Sequence, residues 1–190
     1  MAVEGIASRF PLGSPCPDFA LPDAVSSRIV RRDELHGPAL LVIIACNHCP
    51  YVVHVLDGIT AVGNDYVSRG VAVVALNANS ERTHPQDGPP HMKALAERMG
   101  WRFPFLFDAT QQTARALGAA CTPDFYVFDA QRKLVYHGQL DDARPGNGKP
   151  VTGADLRAAL DAVLAGRPVP QPQKPSLGCS IKWHPEPGAD

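Results

Sequence analysis

Hydrophobic positions along this chain fall into two patterns, continuous runs and helical spacing. Residues 39–45 and 71–76 are continuous apolar runs rich in β-branched side chains, which is typical of strands covered on both faces. The segment 50–69 between them has apolar side chains at three-residue spacing: Val53, Leu56, Ile59 and Val62. A glycine follows it, as a helix stop signal. The pattern predicts a strand–helix–strand unit of a parallel sheet.

Further segments extend this alternation along the chain. Residues 89–99, 110–117 and 154–165 are predicted helices, and glycines follow the first two. Residues 125–128 and 133–137 predict an antiparallel hairpin, because a short polar turn joins them. Residues 18–21 and 25–30 predict a small N-terminal hairpin. The order of elements predicts an α/β fold with a mixed sheet.

The last 24 residues have a different composition. Six prolines fall within residues 167–190, so this segment cannot form a helix. Four apolar side chains alternate with glycine or polar residues: Leu177, Cys179, Ile181 and Trp183. This alternation favours a docked strand with one buried face over a disordered tail. We therefore divide the chain into a domain of residues 1–166 and an extended, proline-rich arm of residues 167–190.

Charge and cysteine content narrow the function classes. The formal net charge is −1, and no basic run is present, which argues against nucleic-acid binding. No apolar stretch is long enough to span a membrane, and the N-terminus lacks the pattern of a signal peptide. Five cysteines without an export signal indicate a cytoplasmic protein with reduced thiols rather than a disulfide-stapled one.

Cys46 and Cys49 stand where the first predicted strand meets the following helix. A thiol at a helix N-terminus is favoured as thiolate by the helix dipole, and Pro50 suits the first helical turn. Two cysteines at this spacing can cycle between dithiol and disulfide. A protonated His48 would stabilise a neighbouring thiolate further. The alternatives are half of a zinc site, for which no second pair of ligands is evident, and two inert structural thiols.

Four segments resemble the thioredoxin superfamily, specifically its peroxiredoxin-like branch (the alkyl hydroperoxide reductase/thiol-specific antioxidant group) with a Cys-x-x-Cys motif. Residues 13–21 are similar to the opening segment of peroxiredoxins, and residues 121–129 to the strand that carries the thioredoxin cis-proline. Residues 141–150 and 178–183 are similar to features of one subgroup. The resemblance implies a thioredoxin-like fold: a mixed central sheet flanked by helices, an N-terminal hairpin and a C-terminal arm.

The resemblance assigns roles to several residues and also shows departures. By the thioredoxin pattern, Cys46 attacks, Cys49 resolves and Pro123 is the cis-proline beside them, with Thr122 and Asn47 expected to contact substrate. By the peroxiredoxin pattern, Cys49 is the peroxidatic residue. Two groups that polarise a peroxide in peroxiredoxins are missing here. Cys46 stands at the position of the residue with the hydroxyl, and the position of the arginine falls near Pro123. Leu40 stands where thioredoxins have a buried acid. We therefore expect Cys46 to be the attacking and more exposed thiol, with Cys49 sheltered behind it.

The remaining candidates have weaker signals. Cys121 lies two residues before Pro123, and Cys179 lies on the arm; each is either a packing residue or an auxiliary redox thiol. Asp142 and Arg144 either make contacts within their own loop or support the active site. Cys16 is interpreted as a packing residue.

The sequence therefore predicts a cytoplasmic thiol–disulfide oxidoreductase that uses Cys46 and Cys49 without a metal or organic cofactor. Its expected partners are protein or small-molecule disulfides, hydroperoxides as a further substrate class, and an external dithiol reductant. We expect no nucleic acid or membrane partner, and nothing in the sequence excludes a homodimer. The alternatives are a thiol peroxidase with peroxidatic Cys49 and a non-catalytic, redox-responsive interaction module.

Overall fold

The protein is built around a five-stranded mixed sheet. The computed structural model describes residues 2–5 and 9–185. The sheet order is β6-β5-β4-β8-β9. Its strands are β4 (Leu40–Ile44), β5 (Ala72–Asn77), β6 (Phe105–Phe107), β8 (Asp124–Phe128) and β9 (Leu134–Gly138). β4, β5 and β6 run parallel, whereas β8 and β9 run antiparallel to their neighbours.

Helices and a small hairpin complete the domain. The helices are α1 (Pro50–Ser68), α2 (Pro89–Met99), α3 (Gln112–Ala116) and α4 (Ala154–Leu164). The hairpin pairs β2 (Ala20–Pro22) with β3 (Ile29–Arg31). None of the described helices combines the length and the apolar character that a membrane crossing requires.

The central strand β4 divides the core into two apolar clusters. All five of its side chains are fully buried. Leu41 and Ile43 pack toward α1, α2 and α4, while Leu40, Val42 and Ile44 pack toward α3 and the N-terminal segment. Successive side chains of a strand point to opposite faces, so a strand buried on both sides must be apolar throughout. Packing on both faces fixes the position of the carboxyl end of β4, and Cys46 comes two residues after that end.

A second, three-stranded sheet joins the two termini to the centre of the chain. Its order is β1-β10-β7, with β1 (Ala2–Glu4), β7 (Cys121–Thr122) and β10 (Leu177–Ser180). β10 pairs antiparallel with both neighbours, and its Cys179 lies opposite Thr122. The proline-rich arm is therefore anchored at the edge of β7.

The predicted fold class is confirmed, with three local corrections. Val53 is 56% exposed, and the apolar face of α1 contains Val52 and Val55 instead. The arm strand is present, but its buried residue is Gly178, whose backbone lies close against Thr122, while Leu177 and Cys179 are only partly buried. The short strands β1 and β6 did not follow from the sequence pattern. The boundary between residues 166 and 167 stays a prediction.

Candidate redox site

Cys46 and Cys49 lie in the turn between β4 and α1. Cys49 is the N-cap residue of α1, in extended conformation (φ −65°, ψ 123°), and Pro50 occupies the first helical turn. A proline is tolerated there because its missing N–H would have no partner within the helix. Cys46 and Cys49 belong to the same apolar cluster of the core. The local geometry therefore matches the predicted strand–turn–helix position.

Both thiols are fully buried. Cys46 and Cys49 each have 0% exposure. The expectation that Cys46 is the more exposed thiol is therefore wrong. The physical reason is that the turn between β4 and α1 is covered by other segments, which the local sequence does not reveal.

Thr122, the last residue of β7, contacts both cysteines. Its Oγ1 lies 3.5 Å from Cys46 Sγ, and its carbonyl oxygen accepts a hydrogen bond of 3.2 Å from the Cys49 thiol. The Thr122–Pro123 peptide bond is cis, as predicted. Pro123 lines a small cavity with Tyr51 of the first turn of α1. Thr122 thus supplies a hydroxyl at the site, although none stands at the position that the peroxiredoxin pattern indicates.

The two thiols have opposite affinities for a proton. The pKa of Cys49 is lowered to about 4, chiefly because the Cys46 thiol donates a hydrogen bond to it, with further lowering by Cys179 and Thr122. The pKa of Cys46 is raised well above its ordinary value by the same hydrogen bond, by burial and by the charge of Asp87. Both shifts favour Cys49 over Cys46 as the thiol that loses its proton first.

Asp87 is a buried carboxylate beside Cys46. Its Oδ2 lies 2.5 Å from His48 Nδ1, and Asn79 donates to the same oxygen at 2.9 Å. Its Oδ1 accepts from the backbone N–H of Asn47 at 2.9 Å. Asp87 therefore holds His48 by a hydrogen bond, and its charge raises the pKa of the Cys46 thiol. The expectation that His48 favours a Cys46 thiolate is not supported by this arrangement.

The donor atoms of Cys46, His48 and Asp87 all lie within 4.8 Å of one another, which makes them a candidate metal-binding group. Zinc accepts thiolate, imidazole and carboxylate ligands. Both oxygens of Asp87 already accept hydrogen bonds here, and Cys46 is the thiol that keeps its proton. The donor set is thus arranged as a hydrogen-bonded network rather than as open ligands.

The arm brings Cys179 to the same place. Cys179 lies opposite Thr122 in the β10–β7 pairing and interacts with the Cys49 thiol. Burial raises the pKa of Cys179 to about 11, and the hydrogen bond to Cys49 adds to this shift. The strand position beside Thr122 is therefore occupied by β10. The edge of β7 at Thr122 is thus paired with β10 rather than open to an extended substrate.

The remaining candidates are Cys121, Arg144 and Asp142. Cys121 is buried, its thiol faces the Pro123 carbonyl at 3.8 Å, and burial raises its pKa. Arg144 lines the small cavity at Pro123 while bonding the carbonyl oxygens of its own loop. Asp142 pairs with Lys149 and Lys174, so it joins the loop to the arm.

The structure also shows the contacts of Asn47 and Cys16. The Asn47 side chain donates to the Gln86 carbonyl at 3.0 Å, so it ties the turn to the segment before α2. Cys16 is buried within the second apolar cluster, and burial raises the pKa of its thiol to about 12.

Asp87 is the site residue that sequence reasoning missed. It ends a short 3-10 turn (Pro85–Asp87) before α2, and the Asn77 side chain from the end of β5 donates to its carbonyl at 2.7 Å. The carboxyl ends of neighbouring parallel strands meet at one edge of a sheet, which is where Cys46 leaves β4. The usable signal was therefore the polar segment that directly follows β5.

Comparison with solved structures finds two chains of nearly the same architecture. An uncharacterized conserved protein from Geobacillus kaustophilus is 51% identical, with 98% of each chain covered and a TM-score of 0.94. A hypothetical protein from Sinorhizobium meliloti 1021 is 49% identical, covering 92% of this chain and 96% of that one, with a TM-score of 0.90. A search of curated proteins finds no match.

More distant structures are similar in fold. A thiol:disulfide interchange protein of the thioredoxin family from Chlorobium tepidum TLS is 20% identical, covers 81% of this chain and 98% of its own, and has a TM-score of 0.62. The fold is therefore thioredoxin-like. The sequence model of the AhpC/TSA family matches residues 12–137, which hold both cysteines, Asp87 and Thr122. The chain belongs to the AhpC/TSA family, within the peroxiredoxin-like branch of the thioredoxin superfamily.

Proposed function

We propose that this protein is a thiol–disulfide oxidoreductase that cycles between a Cys46/Cys49 dithiol and the corresponding disulfide. The observation that carries the proposal is the placement of both thiols against Thr122 at the start of α1, with Cys49 as the N-cap residue. The thiolate is the nucleophile in disulfide exchange. The lowered pKa of Cys49 favours it as the attacking thiol.

In the first step, the Cys49 thiolate attacks one sulfur of a substrate disulfide. A bond forms between Cys49 Sγ and that sulfur, the substrate S–S bond breaks, and the second substrate sulfur leaves as a thiolate. Hydrogen-bond donors around Cys49 stabilise its charge before attack. This assigns first attack to Cys49 rather than to Cys46.

In the second step, Cys46 loses its proton and attacks Cys49 Sγ. The Cys46–Cys49 bond forms, the mixed disulfide breaks, and the remaining substrate sulfur leaves as a thiolate. The His48–Asp87 pair, whose donor atoms lie within 4.8 Å of the Cys46 sulfur, is the proton acceptor available to Cys46. In thioredoxins a buried acid has this function, and Leu40 stands at its position in this chain. An external dithiol then reduces the disulfide and restores both thiols.

The burial of the site favours small disulfides over extended protein substrates. The edge of β7 beside the site is already paired with β10. A protein substrate that adds a strand at this edge would have to displace the arm. A cytoplasmic location is part of the proposal, since all five cysteines are free thiols and the cytosol keeps thiols reduced.

A thiol peroxidase is the second candidate, and the low pKa of Cys49 is the observation that favours it. The Cys49 thiolate would attack one peroxide oxygen, break the O–O bond and release an alcohol or water, leaving a sulfenic acid. Cys46 would then form the disulfide and release water. Disulfide exchange is preferred because a second thiol, Cys46, is in place at the site, whereas the Arg144 guanidinium at the Pro123 cavity is bonded to carbonyl oxygens of its own loop.

Substitutions to serine test the proposal by trapping. Cys46→Ser/Cys179→Ser should accumulate a mixed disulfide at Cys49 when mixed with a small disulfide such as oxidised glutathione, because both neighbouring thiols that could resolve it are absent. Cys49→Ser should form none and show no turnover. Cys16→Ser, a buried thiol away from the site, is the matched control and should keep full turnover. Mass spectrometry of the peptides identifies the modified cysteine.

Two outcomes would contradict the proposal. Trapping at Cys46 in the Cys49→Ser protein would reverse the order of attack. Absence of a mixed disulfide in both variants, together with rapid formation of a Cys49 sulfenic acid by hydroperoxide, would favour the peroxidase.

A further inference from the structure

The arm strand β10 is held against β7 at very short range. Cys179 is the register partner of Thr122, and Ser180 is the partner of Cys121. A Cβ atom built on Gly178 would lie 1.9 Å from the Thr122 carbonyl oxygen, so only glycine fits there. The position of Cys179 next to the site is therefore set by backbone pairing and close packing.

Three cysteines, with Cys49 at the centre, converge on Thr122. The Cys46 and Cys49 thiols both contact Thr122, and Cys179 is its register partner on β10. Interactions with Cys46 and Cys179 lower the pKa of Cys49. Cys179 also packs against the apolar cluster that contains Cys46 and Cys49. Of the three residues, Cys179 alone is partly exposed. The central thiol thus has two neighbours with which a disulfide can form, one on the turn and one on the arm.

We propose that Cys179 is a third redox thiol and the internal exchange partner of Cys49. The proposal rests on the function given above, because that reaction supplies the oxidised Cys46–Cys49 pair. The deprotonated Cys179 sulfur attacks Cys49 Sγ, the Cys49–Cys179 bond forms, and the Cys46–Cys49 bond breaks. Cys46 leaves as a thiolate and takes up one proton, which balances the proton lost by Cys179. The exchange consumes no oxidant or reductant.

The exchange has a structural consequence for the arm. A Cys49–Cys179 disulfide joins β10 covalently to the first residue before α1, so the arm cannot leave the edge of β7. The Cys46–Cys49 disulfide leaves the arm held by noncovalent contacts only, namely backbone pairing and side-chain contacts such as Lys174–Asp142. The position of the disulfide therefore determines whether the covered edge can open.

Cys46→Ser tests the pairing directly, because it leaves Cys49 and Cys179 as the adjacent thiols. After treatment with diamide, this variant should lose two thiols per chain and yield a peptide pair linked through Cys49 and Cys179. The double variant Cys46→Ser/Cys179→Ser should keep Cys49 reduced or modified by a small thiol. The double variant Cys46→Ser/Cys121→Ser is the matched control and should form the same Cys49–Cys179 link. Thermal unfolding of each reduced variant checks that it is folded.

Recovery of no linked peptide from folded Cys46→Ser, or equal loss of thiols in the Cys46→Ser/Cys179→Ser protein, would overturn the proposal. Limited proteolysis gives a second readout, since the arm of oxidised Cys46→Ser should stay attached after cleavage between residues 138 and 177. The proposed function fails separately, if wild-type and Cys179→Ser proteins form no Cys46–Cys49 disulfide and turn over no small disulfide.

Discussion

Two buried aspartate–histidine pairs in this protein have the same chemistry in different surroundings. Asp87 lies 2.5 Å from His48, and Asp124 on β8 lies 3.0 Å from His137 on β9. Both aspartate side chains are fully buried. The His48 side chain is 26% exposed, while that of His137 is 3% exposed. One pair borders the reactive thiols at the end of the sheet, and the other is enclosed within it.

The partners of the two carboxylates differ as well. Asp87 accepts hydrogen bonds from His48, from the Asn79 side chain and from the Asn47 backbone N–H. Asp124 accepts from the Tyr126 hydroxyl at 2.8 Å and from His137, whose ring stacks on Tyr126. A proton acceptor needs a neighbour that gives up a proton and a route to solvent. The Asp87 pair has both, and the proposed function therefore assigns proton transfer to it and only a structural role to the Asp124 pair.

The largest expected effect is on stability, at the enclosed pair. Asp124→Ala leaves the Tyr126 hydroxyl and the His137 ring without their acceptor, so the free energy of unfolding should fall by about 3–5 kcal/mol. Urea denaturation measures the change. Asp33→Ala, at an exposed aspartate, is the control and should stay within about 0.5 kcal/mol of the wild type. A loss as small as the control's would show that the enclosed pair does not stabilise the fold.

The next effect is on turnover, at the site. Asp87→Asn should lower the rate of disulfide turnover by about 10²-fold, because the carboxylate no longer supports His48 as proton acceptor for Cys46. The mixed disulfide at Cys49 should accumulate, which a merely structural role would not produce. Asp57→Asn, at an exposed aspartate on α1, is the control. Unchanged turnover in folded Asp87→Asn protein would assign both pairs the same structural role.

A pH titration separates the two thiols. The thiolate absorbance of reduced protein should persist from neutral pH downward and disappear as pH falls through about 4, because the native contacts lower the pKa of Cys49. That lowered pKa stabilises the folded protein above the ordinary thiol pKa, and the contribution is lost as pH falls through the folded value. Cys46→Ala should raise the inflection by removing the main hydrogen-bond donor. Asp87→Asn should leave it in place, since Asp87 acts on Cys46.

An inflection of the wild-type protein near the ordinary thiol value of 9.0 would contradict this distribution of charge. If the inflection moved in Asp87→Asn but not in Cys46→Ala, Asp87 would act on Cys49 rather than on Cys46.

The smallest effect is at the hydroxyl of the enclosed pair. Tyr126→Phe removes one donor to Asp124 and keeps the ring stacked on His137, so the free energy of unfolding should fall by about 1 kcal/mol. Disulfide turnover should not change. A loss of turnover without a loss of stability would give the enclosed pair a part in the reaction.

Sequence patterns predicted much of the fold because their causes are local. The strand β4 is apolar at every position, α2 begins at Pro89 and ends before Gly100 with φ of 63°, and Cys49 caps α1 before Pro50. Burial on both faces, a left-handed residue after a helix and a proline in the first turn are each visible within a few residues. The position of the Cys-x-x-Cys pair followed from these elements.

The chemistry of the site was decided by contacts between distant segments. Asp87 approaches Cys46 because β4 and β5 are parallel neighbours, and Cys179 approaches Cys49 because β10 pairs with β7. These contacts determine which thiol keeps its proton, and they bury both. The sequence by itself therefore determined where the two cysteines stand on the fold. Only the tertiary structure decided their charge, their exposure and their third thiol partner, since proton affinity depends on every group in contact, whatever its distance along the chain.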